Sequence, residues 1–546
     1  MLTSKQIFDE LFYYCQVGYN KISPASAIKI NTLAQNILHT FSDPNFLLTR
    51  DEAIALLTAN HVLANVIAMS SFKTTDSTLE ILRTRPKTYP KQMILYTVRN
   101  QIQINPREFF DYDAELASLW YDMYLQPAAG RTTELLWENS KWHLSFLDVR
   151  YQPTSRSTTN YFLGSYIDPI MSPIVRGQIN AGFQRHAPEF INTPKADNIA
   201  FIADRWVEGH AVYKTMYSLI EELARKYTVT LVALGPEDNR LDTRLFKNVK
   251  RVEYKNKQLD VSQIYENDFQ LVYFCDIGMS IESVMLANCR IAPIQVTGNG
   301  NPGSTFGAQI DYFITGQSAE RLDLLEMNYY EKVILAPGSG SRPERPPCVP
   351  TRPQKASEPV IVNVPWGVTK YNYPTLKLLR DVQICSPISI IYHFFPGCGV
   401  NRYNCAYPFL RDMDDIFKGQ AVYYPNQPYQ QHLKNLEDGH FSLDSYPWGG
   451  YNSVVDALFL GIPVITWEGN QWYNRVASYL LRRVGLSELV ATTEQEYEQL
   501  IMKMVTDRAY RDTMASRVQS LDLSVLFEAP EPKYFVTAID ELMERK

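Results

Sequence analysis

Seven prolines stand between Pro337 and Pro359, in PGSGSRPERPPCVPTRPQKASEP. Proline has no N–H to give and fixes φ, so neither a regular helix nor a central strand can cross this stretch. It reads as a linker over 337–359, with separately folded sheets on its two sides. Both sides share one texture, short apolar runs alternating with helical stretches, which marks parallel sheets with crossover helices. Before the linker, strands are expected at Ile199–Ala203, Val229–Leu234, Gln270–Cys275, Ile291–Val296 and Tyr312–Thr315. After it they are expected at Val360–Val364, Ile388–His393, Ala421–Tyr424, Phe441–Leu443 and Pro463–Thr466. The expected fold class is therefore α/β, with two Rossmann-like lobes facing a cleft where ligands meet the carboxyl ends of the strands.

Residues 1–190 differ from the rest, with helical periodicity and little strand signal, and predict an all-α N-terminal domain. In Glu52–Met69 the apolar positions Ile54, Leu57, Val62, Val66 and Met69 recur near helical spacing and predict one helix. Phe109–Tyr124 continues the pattern. The expected organisation is helical domain 1–190, first lobe 191–336, linker 337–359, and second lobe 360–546 ending in a helix. At 546 residues the chain exceeds what one core organises.

A net charge of −6 argues against nucleic acid or an anionic membrane as the main partner. No apolar run reaches the ~18 residues of a membrane span. The first residues lack the charged, apolar, small-residue order of a secretory signal. Seven cysteines without CxxC spacing, Cys15, Cys275, Cys289, Cys348, Cys385, Cys398 and Cys405, fit free thiols. Together these predict a cytoplasmic protein. Asp111, Tyr112 and Asp113 imitate an Asp-x-Asp metal site but fall in the helical region, and the histidines lack zinc-ligand spacing, so no metal is expected. Asp412, Asp414 and Asp415 read as a solvated helix face, and Trp120 and Tyr121 as core.

The segment Asp444–Asn470, DSYPWGGYNSVVDALFLGIPVITWEGN, carries the strongest chemical signal. It reads as a glycine turn, a helix stopped at Gly461, and a strand. Gly449 and Gly450 let backbone approach a ligand, and Asn452 or Ser453 is expected to cap a helix whose N–H groups suit a diphosphate. Asp456, one turn in, is placed to accept hydrogen bonds from ribose hydroxyls.

This segment, extended to Leu500, resembles the catalytic lobe of the O-GlcNAc transferase family, glycosyltransferase family 41. RIAPIQVTGNGNPGSTFGAQIDYFITG from Arg290 and PWGVTKYNYPTL from Pro365 resemble two further blocks of that family, in the same order. Without a tetratricopeptide array, the chain is most similar to the bacterial adhesin N-glucosyltransferase branch. The resemblance implies a GT-B fold and an inverting, metal-independent transfer of a hexose from UDP-glucose or UDP-GlcNAc to an acceptor protein or peptide, with asparagine the expected target and no cofactor. Lys370 matches the family's phosphate-contacting lysine, His432 a histidine near the nucleotide, and His210 a histidine that could take a proton from, or orient, the acceptor. Gly449, Gly450, Tyr451, Asn452, Ser453 and Asp456 complete the implied donor site, and Asn301 and Gly303 the acceptor side. Two departures are visible. Tyr451-Asn452-Ser453 stands where the O-GlcNAc branch has His-Thr-Thr, and Asn301 stands where the N-glucosyltransferase branch has histidine, an amide that cannot act as a base. O-linked N-acetylglucosamine transfer, a non-catalytic nucleotide- or protein-binding module and a sugar-nucleotide epimerase are the alternatives.

Overall fold

Helices occupy the chain as far as Gln184, and the first strand begins at Ile191. The computed structural model describes residues 2–16, 21–85, 88–301, 303–397, 399, 406–424 and 426–545. It divides into two compact units, each assembled from three segments. Among the described residues no single helix is long and apolar enough to cross a membrane. Cys275, Cys289, Cys348 and Cys385 are free thiols, while Cys398, Cys405 and the side chain of Cys15 lie outside the described residues.

Unit 1 comprises Met1–Met171, Trp366–Asp381 and Phe394–Gln427. An aromatic core holds its helices. Trp120 is fully buried, stacks on Tyr96 at 5.8 Å and donates its indole N–H to the Tyr96 carbonyl at 2.9 Å. The helix expected over Glu52–Met69 is two helices, Arg50–Thr58 and Asn60–Met69, bent by 57°. Every residue of the second is buried, so packing on all sides sets its direction and overrides the continuous periodicity. The acidic residues near 111 are engaged within the unit. Asp111 pairs with Arg150 at 2.6 Å, and Asp113 caps helix Ala114–Met123 by accepting from the N–H groups of Glu115 and Leu116. Asp412 corrects the solvated-face reading. It is buried and accepts from the Thr132 hydroxyl at 3.1 Å, whereas Asp414 and Asp415 are exposed.

Unit 2 comprises Ser172–Pro365, Val382–His393 and Pro428–Lys546. Its first sheet is built from β1 (Ile191–Ala203), β2 (Thr228–Leu234), β3 (Asn248–Lys255), β4 (Gln258–Asp260), β5 (Glu266–Phe274), β6 (Ile294–Gly298), β7 (Tyr312–Gly316) and β8 (Lys332–Ala336). They lie in the order β4-β3-β2-β1-β5-β6-β7-β8, and every pairing is parallel except β3 with β4. The second sheet draws on β9 (Val360–Val364), β10 (Ile390–Phe394), β12 (Phe441–Leu443), β13 (Val464–Trp467) and β14 (Val490–Ala491), in the order β10-β9-β12-β13-β14; β11 (Ala421–Tyr423) falls in unit 1. The fold is α/β, with two parallel-rich sheets and a helical N-terminal region.

Two helices pack elsewhere than the sequence reading placed them. Helix Met171–Gln184, expected in the N-terminal domain, belongs almost wholly to unit 2, because Arg176, Asn180 and Gln184 donate to the carbonyls of Ser304, Thr305 and Gly307. The C-terminal helix Glu531–Glu544, expected with the second lobe, buries Phe535, Ala538, Ile539 and Leu542 in the core of the first sheet. That face recurs at helical spacing and finds its apolar partner on helix Ala211–Ala224 and beside β8. The proline-rich segment carries no helix or strand, yet it is gripped: the Ser339 carbonyl accepts from Asn299 and from the Trp472 indole, and the Ser341 carbonyl from the Tyr451 hydroxyl.

Candidate functional site

The turn after β12 is organised by Asp444, which sequence reading had passed over. Its side chain is buried. Oδ1 accepts from the N–H groups of Ser445 at 2.9 Å and Gly450 at 2.7 Å, and Oδ2 from the Thr466 hydroxyl at 2.8 Å. The Tyr497 hydroxyl donates to its carbonyl at 2.8 Å. At Gly449 a Cβ would stand 2.8 Å from the Tyr473 carbonyl oxygen, and at Gly450 one would run into Ser453 Oγ. Lack of room, not a left-handed φ, therefore requires glycine at both.

Helix Asn452–Phe459 follows, with Tyr451 at its N-cap and no side-chain cap bond. The expected caps are corrected here. Asn452 points its amide away from its own helix and donates to the Ala211 carbonyl at 3.1 Å, where helix Ala211–Ala224 begins. Among the described residues no side chain caps the first turn of Asn452–Phe459, as an anion-binding helix end requires.

Asp456 is 6% exposed, and its Oδ1 accepts from the Tyr429 hydroxyl at 2.6 Å. Oδ2 takes no hydrogen bond among the described residues. Burial pushes the carboxyl up to about 6, opposed by the Lys214 ammonium and the Tyr429 hydrogen bond. Tyr429 opens helix Tyr429–Leu436, and His432, one turn on, lies nearly parallel to its ring at 6.4 Å. Burial first and Lys214 second hold His432 down to about 4.

In the first lobe His210 is the N-cap residue of helix Ala211–Ala224, and its buried Nδ1 has no hydrogen-bond partner among the described residues. Burial, with Arg205 adding to it, lowers the imidazole to about 4, so it is neutral at neutral pH and able to accept a proton. The loop that carries it is anchored by Asp276, whose carboxylate accepts from the Asp204 N–H at 3.0 and 3.1 Å. Burial, then Asp204, pushes Asp276 up to about 7. Asn301 is buried and spends its amide on the Ile277 carbonyl, and Gly303 leaves room for the Arg176 guanidinium, which a Cβ would approach to 3.1 Å. Pro302 between them lies outside the described residues. Asn301 and Gly303 are thus held as parts of a braced loop.

Lys370 ends the one-turn 3-10 helix Val368–Lys370, with its N–H on the Gly367 carbonyl at 2.9 Å. It belongs to unit 1, whereas the other donor- and acceptor-side candidates, His210, Asn301, Gly303, His432 and those from Gly449 to Asp456, belong to unit 2. Lys214, Tyr429, Asp444 and Asp276 were missed. Each is an ordinary residue at an ordinary position in the linear chain, and no local pattern marks it.

The profile of glycosyl transferase family 41 matches residues 370–534. The UDP-glucose:protein N-beta-glucosyltransferase of Actinobacillus pleuropneumoniae serotype 5b is 22% identical over 527 residues, covering 88% of this chain and 83% of that one. A probable UDP-N-acetylglucosamine–peptide N-acetylglucosaminyltransferase, SPINDLY, of Oryza sativa subsp. japonica is 27% identical over 236 residues, covering 40% of this chain and 24% of its own length. Among solved structures, a point mutant of the Thermobaculum terrenum O-GlcNAc transferase superposes with a TM-score of 0.62 at 14% identity, covering 100% of this chain and 98% of that one. That likeness concerns the fold, and it is the GT-B arrangement expected from the sequence.

Proposed function

We infer that this chain, a glycosyltransferase of family 41, moves a hexose from a UDP-sugar to asparagine side chains of cytoplasmic proteins, by direct displacement with inversion and without a metal ion. The observation that carries the reading is the turn at Asp444–Tyr451, where a buried carboxylate holds Gly450, the second of two space-limited glycines, ahead of an uncapped helix end, with Asp456 one turn in. A diphosphate fits such a helix end, and a ribose hydroxyl fits the remaining oxygen of Asp456. The donor named for the Actinobacillus relatives, UDP-glucose, supports glucose as the sugar.

In this reading the N-terminus of helix Asn452–Phe459 stabilises the charge that develops on the departing UDP and His432 flanks the nucleotide, while Lys370 keeps the phosphate-contacting role that the family resemblance implies for it. The acceptor enters over the first lobe near His210, on the side of the Asn301–Gly303 loop. An asparagine amide is a poor nucleophile, so positioning and leaving-group stabilisation supply more of the rate than a base does. The neutral His210 orients the amide or receives its proton.

Incubation with a panel of UDP- and GDP-sugars and peptides containing Asn-x-Ser/Thr, read by intact mass with site localisation, tests the proposal. A hexose on asparagine is the expected product. N-acetylhexosamine on serine or threonine would replace it with the O-linked reading, and UDP binding without turnover would leave a non-catalytic module.

A pH dependence follows from Asp456. Its folded-state carboxyl stands at about 6, above the ordinary carboxylate value, so it loses its charge as pH falls through that value. UDP affinity, measured by calorimetry, is expected to be flat above pH 7 and to fall about tenfold per unit below about 6. Asp456→Asn should bind weakly at all pH values and show no such step.

A further inference from the structure

Lys214 lies one turn into helix Ala211–Ala224 of the first lobe, and nothing in VEGHAVYKTM sets it apart from a solvated helix lysine. Its ammonium is instead laid over the face of Tyr429 in the second lobe, 3.3 Å from the ring centroid. No carboxylate among the described residues comes within ion-pairing distance of it. Burial lowers its pKa, while Asp456 and then Glu344 favour its charge. The contact is a desolvated cation on a π face, which is stronger than the same contact in water.

The ring it covers is the one whose hydroxyl donates to Asp456 Oδ1 at 2.6 Å. The same helix start is tied across the cleft a second time, by the Asn452 amide on the Ala211 carbonyl. Two fastenings therefore run from the helix behind His210, one to the helix that opens with Tyr429 and one to the helix that carries Asp456. Around Asp456 the other titratable groups are Tyr429, Cys348 and Glu344, the last two from the proline-rich segment, with His432 beside Lys214.

We propose that Lys214 is a positioning residue for the nucleotide sugar: from the opposite lobe it holds the Tyr429 ring in place, so that the hydroxyl occupies Asp456 Oδ1 and Oδ2 is presented to a ribose hydroxyl. This rests on the donor-site reading of the cleft. Lys214 does not meet the reacting atoms. It acts through the Tyr429 hydrogen bond and through its field on the carboxylate, which lets the first lobe sense whether the donor is seated.

Two variants separate this from simple packing: Lys214→Met, which keeps the apolar stem and removes the charge, and Lys214→Arg, which keeps both. UDP binding is measured by calorimetry between pH 5.5 and 8.5, with kcat at saturating donor. Lys214→Met is expected to weaken UDP about tenfold at pH 7 and to raise the pH at which affinity falls by about one unit, because the carboxylate has lost its nearest cation. Its kcat stays within about threefold of wild type, and Lys214→Arg restores most of the affinity. In Tyr429→Phe, which breaks the relay, adding Lys214→Met should cost clearly less than it does alone. Unchanged affinity in Lys214→Met, or an equal loss at every pH with no shift of the step, would overturn the assignment while leaving the donor site standing. Wild-type protein that binds no UDP at any pH would overturn both.

Discussion

Alanine in place of Lys370 is expected to lower kcat by about 10²- to 10³-fold, the size of effect seen when one preorganised charge-stabilising contact is removed from a transition state. The departing diphosphate gains charge as the sugar leaves it. With no metal in the proposed mechanism, that charge is assigned to the Lys370 ammonium. Affinity for UDP should fall much less than kcat, because the proposed donor site assigns the ground-state diphosphate to the end of helix Asn452–Phe459. Arginine at 370 should restore only part of the rate, since a planar fork does not occupy the place of a compact ammonium. Single-turnover kinetics on an acceptor peptide, set beside UDP calorimetry, measure the two effects separately. A Lys370→Ala enzyme turning over within about threefold of wild type would remove the leaving-group role.

Asp444→Ala is expected to destabilise the fold by about 3–5 kcal/mol and to abolish measurable UDP binding, although Asp444 itself is not placed on the nucleotide. The substitution strands three donors at once, the N–H groups of Ser445 and Gly450 and the Thr466 hydroxyl, in a site from which water is excluded. Each buried donor left without an acceptor costs about 1–3 kcal/mol. Gly450 would lose the bond that sets the direction of the turn, and the helix end beyond it would lose its aim. Asp444→Asn keeps one acceptor oxygen and should fall between the two. Urea unfolding followed by tryptophan fluorescence gives the stability change, and calorimetry gives the binding. A shift below about 1 kcal/mol with UDP affinity retained would mean that the turn holds its shape by other contacts.

The sequence by itself determined much of the architecture, for reasons of local physics. Short continuous apolar runs at Ile199–Ala203 and Val360–Val364 form strands whichever sheet they join; the second stands where its residues predict, and the first is extended upstream to Ile191. The double glycine ahead of Asn452 announced a close turn, because no other residue leaves so little behind. The proline-rich stretch forbade regular structure, and none is found there.

Tertiary structure decided the rest, wherever an interaction joins residues far apart in the chain. The Glu531–Glu544 helix is amphipathic in sequence, but its periodicity names no partner; the apolar surface of helix Ala211–Ala224 and β8 does. Glu52–Met69 carries one continuous period, yet burial on every side bends it at Ala59. Asn452 has the chemistry of a cap and is drawn instead to a carbonyl 241 positions away in sequence. Lys214, Tyr429 and Asp456 acquire their meaning only when two lobes bring a cation, a ring and a carboxylate to one point. Linear spacing records what a residue does to its near neighbours, whereas desolvation and long-range pairing belong to the folded chain alone.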